Sequence, residues 1–444
     1  MIEKFKTYIT TNFKELKSKK ILVTVSGGLD SVVLLHLLQQ LHYNLVIAHC
    51  NFKLRGEDAD KDEEFVRNLG EKFKIPTEVI SFNTKEFAKH NKLSIQEAAR
   101  KLRYDWFDNL CNQNIADVIV TAHHLNDNLE TVLHHLIRGT GLIGLTGIPA
   151  KNKNIIRPLL PFSRDEIEKF ARKNQISWRE DKSNAETKYR RNKIRHQVIP
   201  VLQEINPQLL QSFLKTHQHL QNANTVLQQH FTTVWQQITT TNNRIIKVDI
   251  KQLSKLTPQD YYLYELFKPF GFTDASEIKK LMIAQSGKLL FSKTYRLLKD
   301  RDSLLLGSFP EKEKISFTIS KDKKRFEIDD LILIFKETDF RTINPSDKDK
   351  NSVVIDKDLL KFPLTVRKWQ KGDYFYPSGM QGKKKLSKFF KDKKLNLFEK
   401  ENIWLLLSEN QIVWVIGMRQ DKRFLISDKT KTKIKISVLH SENK

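Results

Sequence analysis

Two short stretches concentrate residue types that could do chemistry. In Ser26-Gly27-Gly28-Leu29-Asp30-Ser31 the paired glycines let backbone N–H groups close on anionic oxygens, the serines add hydroxyl donors, and a carboxylate stands beside them. The second stretch is Thr121-Ala122-His123-His124-Leu125-Asn126-Asp127-Asn128-Leu129-Glu130-Thr131, continuing to His134, His135, Arg138, Gly139, Thr140 and Gly141. Asp127 and Glu130 are three apart, so on a helix they share one face and can grip a magnesium ion or an ammonium group. The histidines invite a zinc reading, but neither a nearby cysteine nor an H-E-x-x-H spacing accompanies them. The plainer alternative is a solvated helix start whose histidines pack or cap.

The elements that must hold these residues are legible in their flanks. Ile21 to Val25 is an apolar run before the glycines and Val32 to Leu38 another after them, so a strand turns through the glycine pair into a helix. The positive end of that helix favours an anion at the turn. A Walker loop is absent: Gly287-Lys288 and Gly382-Lys383 lack both the upstream glycine and the following hydroxyl. Further apolar runs at 44–49, 79–82 and 117–123 alternate with amphipathic segments, which predicts an α/β fold with a doubly wound parallel sheet. Ligands of such sheets bind beyond the carboxyl ends of the strands. Ser26, His49 and His123 each end or follow an apolar run and are expected to face one crevice. Ser94 with Glu97, and Ser163 with Glu166, read as capping boxes that open helices.

Charge and composition bound the rest. The 444 residues carry a formal net charge of +25, far beyond what solubility needs, which points to a polyanion and first to nucleic acid. No run approaches the roughly 18 apolar residues of a membrane span, and Met1 to Lys6 opens no signal core, so a cytoplasmic protein without a membrane partner is expected. Cys50 and Cys111 stand far apart, which excludes a disulfide framework and a CxxC pair. Arg100 and Arg103 fall on one helical stripe; the alternatives are solvated surface or bidentate phosphate contact. Arg190 to Arg195 is either a basic helix start or a contact with RNA or phosphate. Lys383 to Lys394, interleaved with Phe389 and Phe390, is read as a nucleic-acid surface, against a solvated face over two core phenylalanines. Four regions are expected: a catalytic domain over 1–205, a helical domain over 206–310, a connector with short strands over 311–360 that includes an exposed loop at Asp347 to Asn351, and a small basic α+β domain over 361–444.

The Ser-Gly-Gly-x-Asp-Ser turn resembles the pyrophosphate loop of N-type ATP pyrophosphatases, an adenine nucleotide alpha hydrolase-like fold. That resemblance implies ATP at Ser26, Gly27, Gly28, Leu29, Asp30, Ser31 and His49, and cleavage to AMP and pyrophosphate. Taken with Leu54-Arg55-Gly56, Ala98 to Tyr104, Ala122 to Thr131, Arg138 to Gly141, Arg157 to Leu160, Asp181 to Asn184 and Arg191 to Arg195, the chain resembles the tRNA(Ile)-lysidine synthetase family over essentially its whole length. Arg367, Gly372-Asp373, Pro377, Gly379 and the lysines after Gly382 are similar to that family's C-terminal tRNA-binding domain. Two positions depart from the usual pattern: the stretch His49 to Lys53, and Asn126 where aspartate is common.

The resemblance implies a carbon–nitrogen ligase that makes lysidine at the wobble cytidine of an isoleucine tRNA with a CAU anticodon, using ATP, L-lysine and Mg²⁺. Asp30, Arg103, His123 and Asp127 are its implied catalytic residues, Asp127 and Glu130 receive the lysine ammonium, and Arg191, Arg195, Arg367, Lys383, Lys384, Lys385 and Lys388 contact tRNA. The metal ligands and the oligomeric state, a homodimer included, stay open. Carboxylates that bind an ammonium also favour its protonated form, and freeing the amine of its proton at pH 7 costs roughly 4.6 kcal/mol. Asp127, His123 and a phosphate oxygen are the alternatives for the acceptor. A tRNA thiolase would want suitably placed cysteines, an amidotransferase a glutaminase segment, and a non-catalytic RNA-binding factor would not need Asp30, Ser31, Asp127 and Glu130.

Overall fold

Strands with continuous apolar centres, Ile21 to Val23, Leu45 to Ala48 and Val118 to Val120, build the first half of the computed structural model, which describes residues 1–180, 190–242, 244–309, 316–329, 331–338 and 351–440. β1 (Lys20–Thr24), β2 (Asn44–Asn51), β3 (Thr77–Ser81), β4 (Val118–Val120), β5 (Lys151–Asn152) and β6 (Ile155–Ile156) form one sheet in the order β3-β2-β1-β4-β6-β5. All neighbours are parallel except β5 and β6. Ile21 and Val23 of β1 pack into one core and Leu22 into another, with Val46, Ala48 and Ile119. A sheet covered on both faces needs that continuous apolarity.

Helices α1 (Ile2–Asn12), α2 (Leu29–Gln40), α3 (Glu57–Phe73), α4 (Thr84–Asn91), α5 (Ile95–Asn112), α6 (Leu125–Arg138), α7 (Leu142–Leu145) and α8 (Arg164–Lys173) surround it. Residues 32–35, 37 and 38 of α2 are fully buried, as befits a helix apolar on all sides. Both expected capping boxes form, Ser94–Glu97 opening α5 and Ser163–Glu166 opening α8. Chain order reverses at β1, whose neighbours are β2 and β4, so the crevice lies past the carboxyl ends of β1 and β4. After residue 189 come α9 (Arg190–Lys193), a π turn over Ile194–Val198, α10 (Ile199–Ile205) and the long α11 (Leu209–Ile238). The motif Asp181 to Asn184 lies outside the described residues.

The chain divides into units 1–229 and 230–444. The stretch 206–310, expected to be helical, is mixed. Beyond Ile238 it forms a five-stranded sheet ordered Thr239–Asn242, Ile245–Asp249, Ser303–Ser308, Tyr295–Asp300, Leu289–Phe291. The β-branched runs Thr239 to Thr241 and Ile245-Ile246, and the leucine pairs of its hairpin, account for the change. The segment 311–360 carries strands, and these pair beyond it. Ser316–Ile319 lies against Leu364–Lys368, and Ser352–Asp356 against Lys433–His440. One core joins Ile319, Phe326, Leu333 and Ile355 to Leu364, Trp404, Trp414 and Ile436. Asp347 to Lys350 lie outside the described residues.

Candidate active site

Gly27 has φ +90°, a conformation open to glycine, and that requirement shapes the turn between β1 and α2. Ser31 locks it: its hydroxyl donates to the Gly28 carbonyl at 2.9 Å and accepts the Ser26 N–H at 3.1 Å. Gly28 caps α2 without a side-chain hydrogen bond among the described residues, so the first-turn N–H groups face the place where an anion binds. His49 is inside β2 and 4% exposed, and its Nδ1 pairs with the Val25 carbonyl at 2.8 Å. It ties β2 to the residue that leads into the turn, and its Nε2 is buried with no hydrogen-bond partner among the described residues.

Asp30, on the first turn of α2, meets His124 and Asp127 from the start of α6. Asp30 Oδ2 accepts from Arg164 at 3.3 Å and lies 3.6 Å from His124 Nε2, which is 3.5 Å from Asp127 Oδ2. The His124 N–H also donates to Asp127 Oδ2 at 3.1 Å. Asp30 Oδ1 is buried with no hydrogen-bond partner among the described residues. Burial opposes charge on His124, but Asp127 and Asp30 outweigh it and raise its pKa. For Asp127 burial opposes ionisation, and His124, His123 and Arg191 overcome that and hold it below the usual carboxylate value. His123 behaves oppositely to His124: desolvation brings it down to about 4, so it is neutral at pH 7, with Nδ1 against Thr121 Oγ1 at 2.9 Å.

The carboxylates expected to take lysine are already paired. Glu130 is 1% exposed and meets Arg195 Nε at 2.6 Å, Arg195 Nη2 at 3.0 Å and Arg191 Nε at 3.0 Å. Asp127 lies 3.3 Å from Arg195 Nη2 and 3.7 Å from Arg191 Nη2. Two arginines four apart on α9 and the π turn thus match two carboxylates three apart on α6. This complementarity was present in the sequence, where both arginines read as tRNA contacts. The four charges cancel, so an ammonium that replaced one guanidinium would restore the balance, meeting two carboxylates of which the other guanidinium offsets one.

Arg103 lies 5.1 Å over the Phe52 ring and its stripe-mate Arg100 5.0 Å over the Tyr104 ring. Asn126 accepts the Arg164 N–H at 3.0 Å, which fixes the residue that pairs with Asp30. Burial pushes the Cys50 thiol up to about 12 and raises that of Cys111. Neither is a ready thiolate for sulfur transfer. Among the described residues there is no group of three or more His, Cys, Asp or Glu side chains that could hold a metal.

In the second unit the basic run separates by contact. Phe389 and Phe390 are core residues, 4% and 0% exposed, because they fall on the inner face of the helix Leu386–Asp392. They provide no stacking surface. Lys383 lies 5.2 Å from the Tyr374 ring, Lys384 and Lys393 lie 5.9 and 6.0 Å from the buried Phe389 ring, and Arg423 lies 4.6 Å from the Tyr376 ring. Lys383, Lys385 and Lys388 are exposed, while Lys384 pairs with Asp392 at 2.6 Å and Arg367 forks onto Asp373 through two 2.8 Å bonds.

A strand–glycine turn–helix unit at a reversal of strand order, with an aspartate beside it that has one unpartnered oxygen among the described residues, defines the class: residues 1–202 match the PP-loop domain family, whose members use ATP. Residues 241–309 match the TilS substrate binding domain and 364–437 the TilS substrate C-terminal domain. The chain belongs to the tRNA(Ile)-lysidine synthase family. It is 38% identical to the Parabacteroides distasonis enzyme of that name over 99% of this chain and 100% of the relative, and 39% identical to that of Bacteroides thetaiotaomicron over 96% of each. Among solved structures it is similar to a U34-tRNA thiolase from Methanococcus maripaludis, with TM-score 0.40 and 19% identity over 49% of this chain and 78% of that one. Among the described residues no helix is long and apolar enough to cross a membrane.

Proposed function

We propose that the chain joins the ε-amine of L-lysine to carbon 2 of the wobble cytidine in a CAU-anticodon isoleucine tRNA, at the expense of ATP. The observation that carries this reading is the meeting of Asp30, from the glycine turn, with His124 and Asp127: an anion site and an ammonium-binding carboxylate share one crevice. A pyrimidine carbonyl oxygen is a poor leaving group. In the first step it attacks the α-phosphorus, a P–O bond forms, the α–β anhydride breaks and its electron pair leaves with pyrophosphate. In the second, the neutral amine forms the C–N bond, the C–O bond breaks and AMP departs.

The glycine turn and the N-terminus of α2 would hold the phosphates. The orphaned Asp30 Oδ1 fits a hard cation that shares its other ligands with phosphate oxygens. Mg²⁺ bound there would offset triphosphate charge. Asp127 and Glu130 would receive the lysine ammonium in exchange for a guanidinium, and the one that stays would offset half of their charge and so lessen the pocket's preference for the protonated amine. His123, with its low pKa, is a weak proton acceptor, which leaves a phosphate oxygen or the Asp127–His124 pair for that task. Lys383, Lys385 and Lys388 would meet tRNA phosphates. Arg191, Arg195 and Arg367 would serve through their ion pairs, and Arg103 would meet the developing charge on the transferring phosphate.

The test measures AMP and pyrophosphate with and without each substrate. Release of both, in equal amounts and fully dependent on tRNA, is expected, with lysine required for AMP to leave the tRNA adduct. Turnover without tRNA would contradict the reading.

A further inference from the structure

Asp62, on α3, is 7% exposed, and both of its oxygens are engaged. Oδ2 accepts from Arg55 Nη2 at 2.9 Å and Oδ1 from Arg179 Nε. Its Cβ and its carbonyl oxygen stand 3.9 Å from where a side chain on Gly27 would begin. Arg179 also donates its backbone N–H to the Gly27 carbonyl at 3.0 Å. The carboxylate and both guanidiniums are thus gathered at the glycine turn.

A buried carboxylate this near an anion-binding loop would repel phosphate if it stood alone. Two guanidiniums are paired with it and offset its charge. They come from separate segments, Arg55 from the turn after β2 and Arg179 from the stretch after α8, and neither belongs to the strand–turn–helix unit itself. Their side chains are 38% and 32% exposed, so solvent and small ions reach them. The Arg179 guanidinium meets Asp62 through Nε, and a guanidinium carries five N–H donors in a fork that suits phosphate oxygens.

We propose that Asp62 is a positioning residue that holds Arg55 and Arg179 as the receiver for the pyrophosphate formed at the glycine turn. The inference rests on the PP-loop reading of that turn. It makes a prediction opposite in sign to simple electrostatics. Asp62→Asn removes a negative charge beside an anion site, so proximity alone would tighten pyrophosphate binding. Loss of the positioning weakens it.

Calorimetric titration of the full chain with inorganic pyrophosphate in Mg²⁺ buffer, with AMP as the control, separates the two. Asp62→Asn is expected to weaken pyrophosphate by about ten- to a hundredfold, the worth of one or two charge-assisted hydrogen bonds, and to leave AMP within about twofold. Arg179→Lys keeps the charge and loses the fork; it is expected to weaken pyrophosphate about fivefold or more, and it decides the matter if Asp62→Asn does not fold. Unchanged or tighter pyrophosphate binding, or parallel loss of pyrophosphate and AMP, overturns the proposal. A wild-type chain that binds ATP but not pyrophosphate overturns it alone, whereas one that binds neither overturns the reading of the glycine turn as well.

Discussion

Arginine and lysine are put to different use in the two units. Around the crevice the cations are committed: Arg191 and Arg195 to Glu130 and Asp127, Arg164 to Asp30, Arg55 and Arg179 to Asp62. In the C-terminal unit Lys383, Lys385 and Lys388 are exposed, the first of them over the Tyr374 ring. In the crevice pairs the carboxylate is the more buried partner and the guanidinium keeps contact with solvent, so they contribute geometry more than stability, and breaking one costs less than the ~3–5 kcal/mol of a fully buried pair. Exposed lysines contribute attraction that is screened within about 10 Å at 0.1 M salt. Substitutions in the first unit should therefore act on the chemistry or on one substrate, and those in the second on tRNA affinity alone, in small salt-dependent steps.

The largest effect is expected at Asp30. Asp30→Ala removes the partner of Arg164 and the orphaned oxygen, and should lower lysine incorporation by about a thousandfold or more in single-turnover assays, on the scale of losing transition-state stabilisation. Next, Glu130→Gln and Asp127→Asn should raise the lysine KM at least about tenfold while the ATP KM changes less than about threefold, as initial rates with each substrate varied would reveal. Equal losses for both substrates would transfer the carboxylates from lysine binding to arginine positioning alone.

A third prediction concerns pH. Free histidine titrates near 6.5, and His123 in the fold at about 4. Between those values the unfolded chain takes a proton that the native chain declines, so stability falls as pH drops through this window, by at most about 3 kcal/mol. Denaturant melts of His123→Gln should show a flatter acid limb. His124 has the opposite sign. Its pKa is raised, so its contribution is present below pH 6.5 and lost as pH rises through the folded value. His124→Gln should remove stability at acid pH, and a matching acid limb in both variants would show that the two rings do not differ as described.

The smallest effects belong to the basic face. Lys383→Ala, Lys385→Ala and Lys388→Ala should each reduce the slope of log affinity for tRNA against log salt by about 0.7–0.9, and Lys384→Ala should leave it unchanged because Asp392 already holds that ammonium. Four equal slopes would abolish the distinction between committed and solvent-facing cations. Point substitutions suit this test better than truncation at residue 360, which would part Ser316–Ile319 from Leu364–Lys368 and Ser352–Asp356 from Lys433–His440.

The parts legible in the sequence were those governed by local rules. A glycine pair between two apolar runs, serine and glutamate three apart, and continuous apolar strands gave the turn, two helix starts and the parallel sheet. What escaped depended on partners distant in the chain. Nothing local marks Arg191 and Arg195 as companions of residues sixty positions earlier, and a basic run looks alike whether it faces RNA or a buried carboxylate. Phe389 and Phe390 were misjudged for the same reason, since alternation with lysine does not reveal which face of a short helix is covered. His124 did carry a signal, adjacent to the first turn of α6 and three residues before Asp127, but its neighbour His123 drew the attention. Asp62 offered none, being one acidic residue among many on α3.

Incubation with radiolabelled lysine, ATP and Mg²⁺, followed by nucleotide mapping of a CAU-anticodon isoleucine tRNA transcript, bears most directly on the central claim. Stable label at the wobble cytidine, absent when that base is uridine and absent with Asp30→Ala, is the expected result. ATP turnover that depends on tRNA yet leaves no lysine at that position would contradict lysine as the nucleophile, and with it the pocket formed by Asp127 and Glu130.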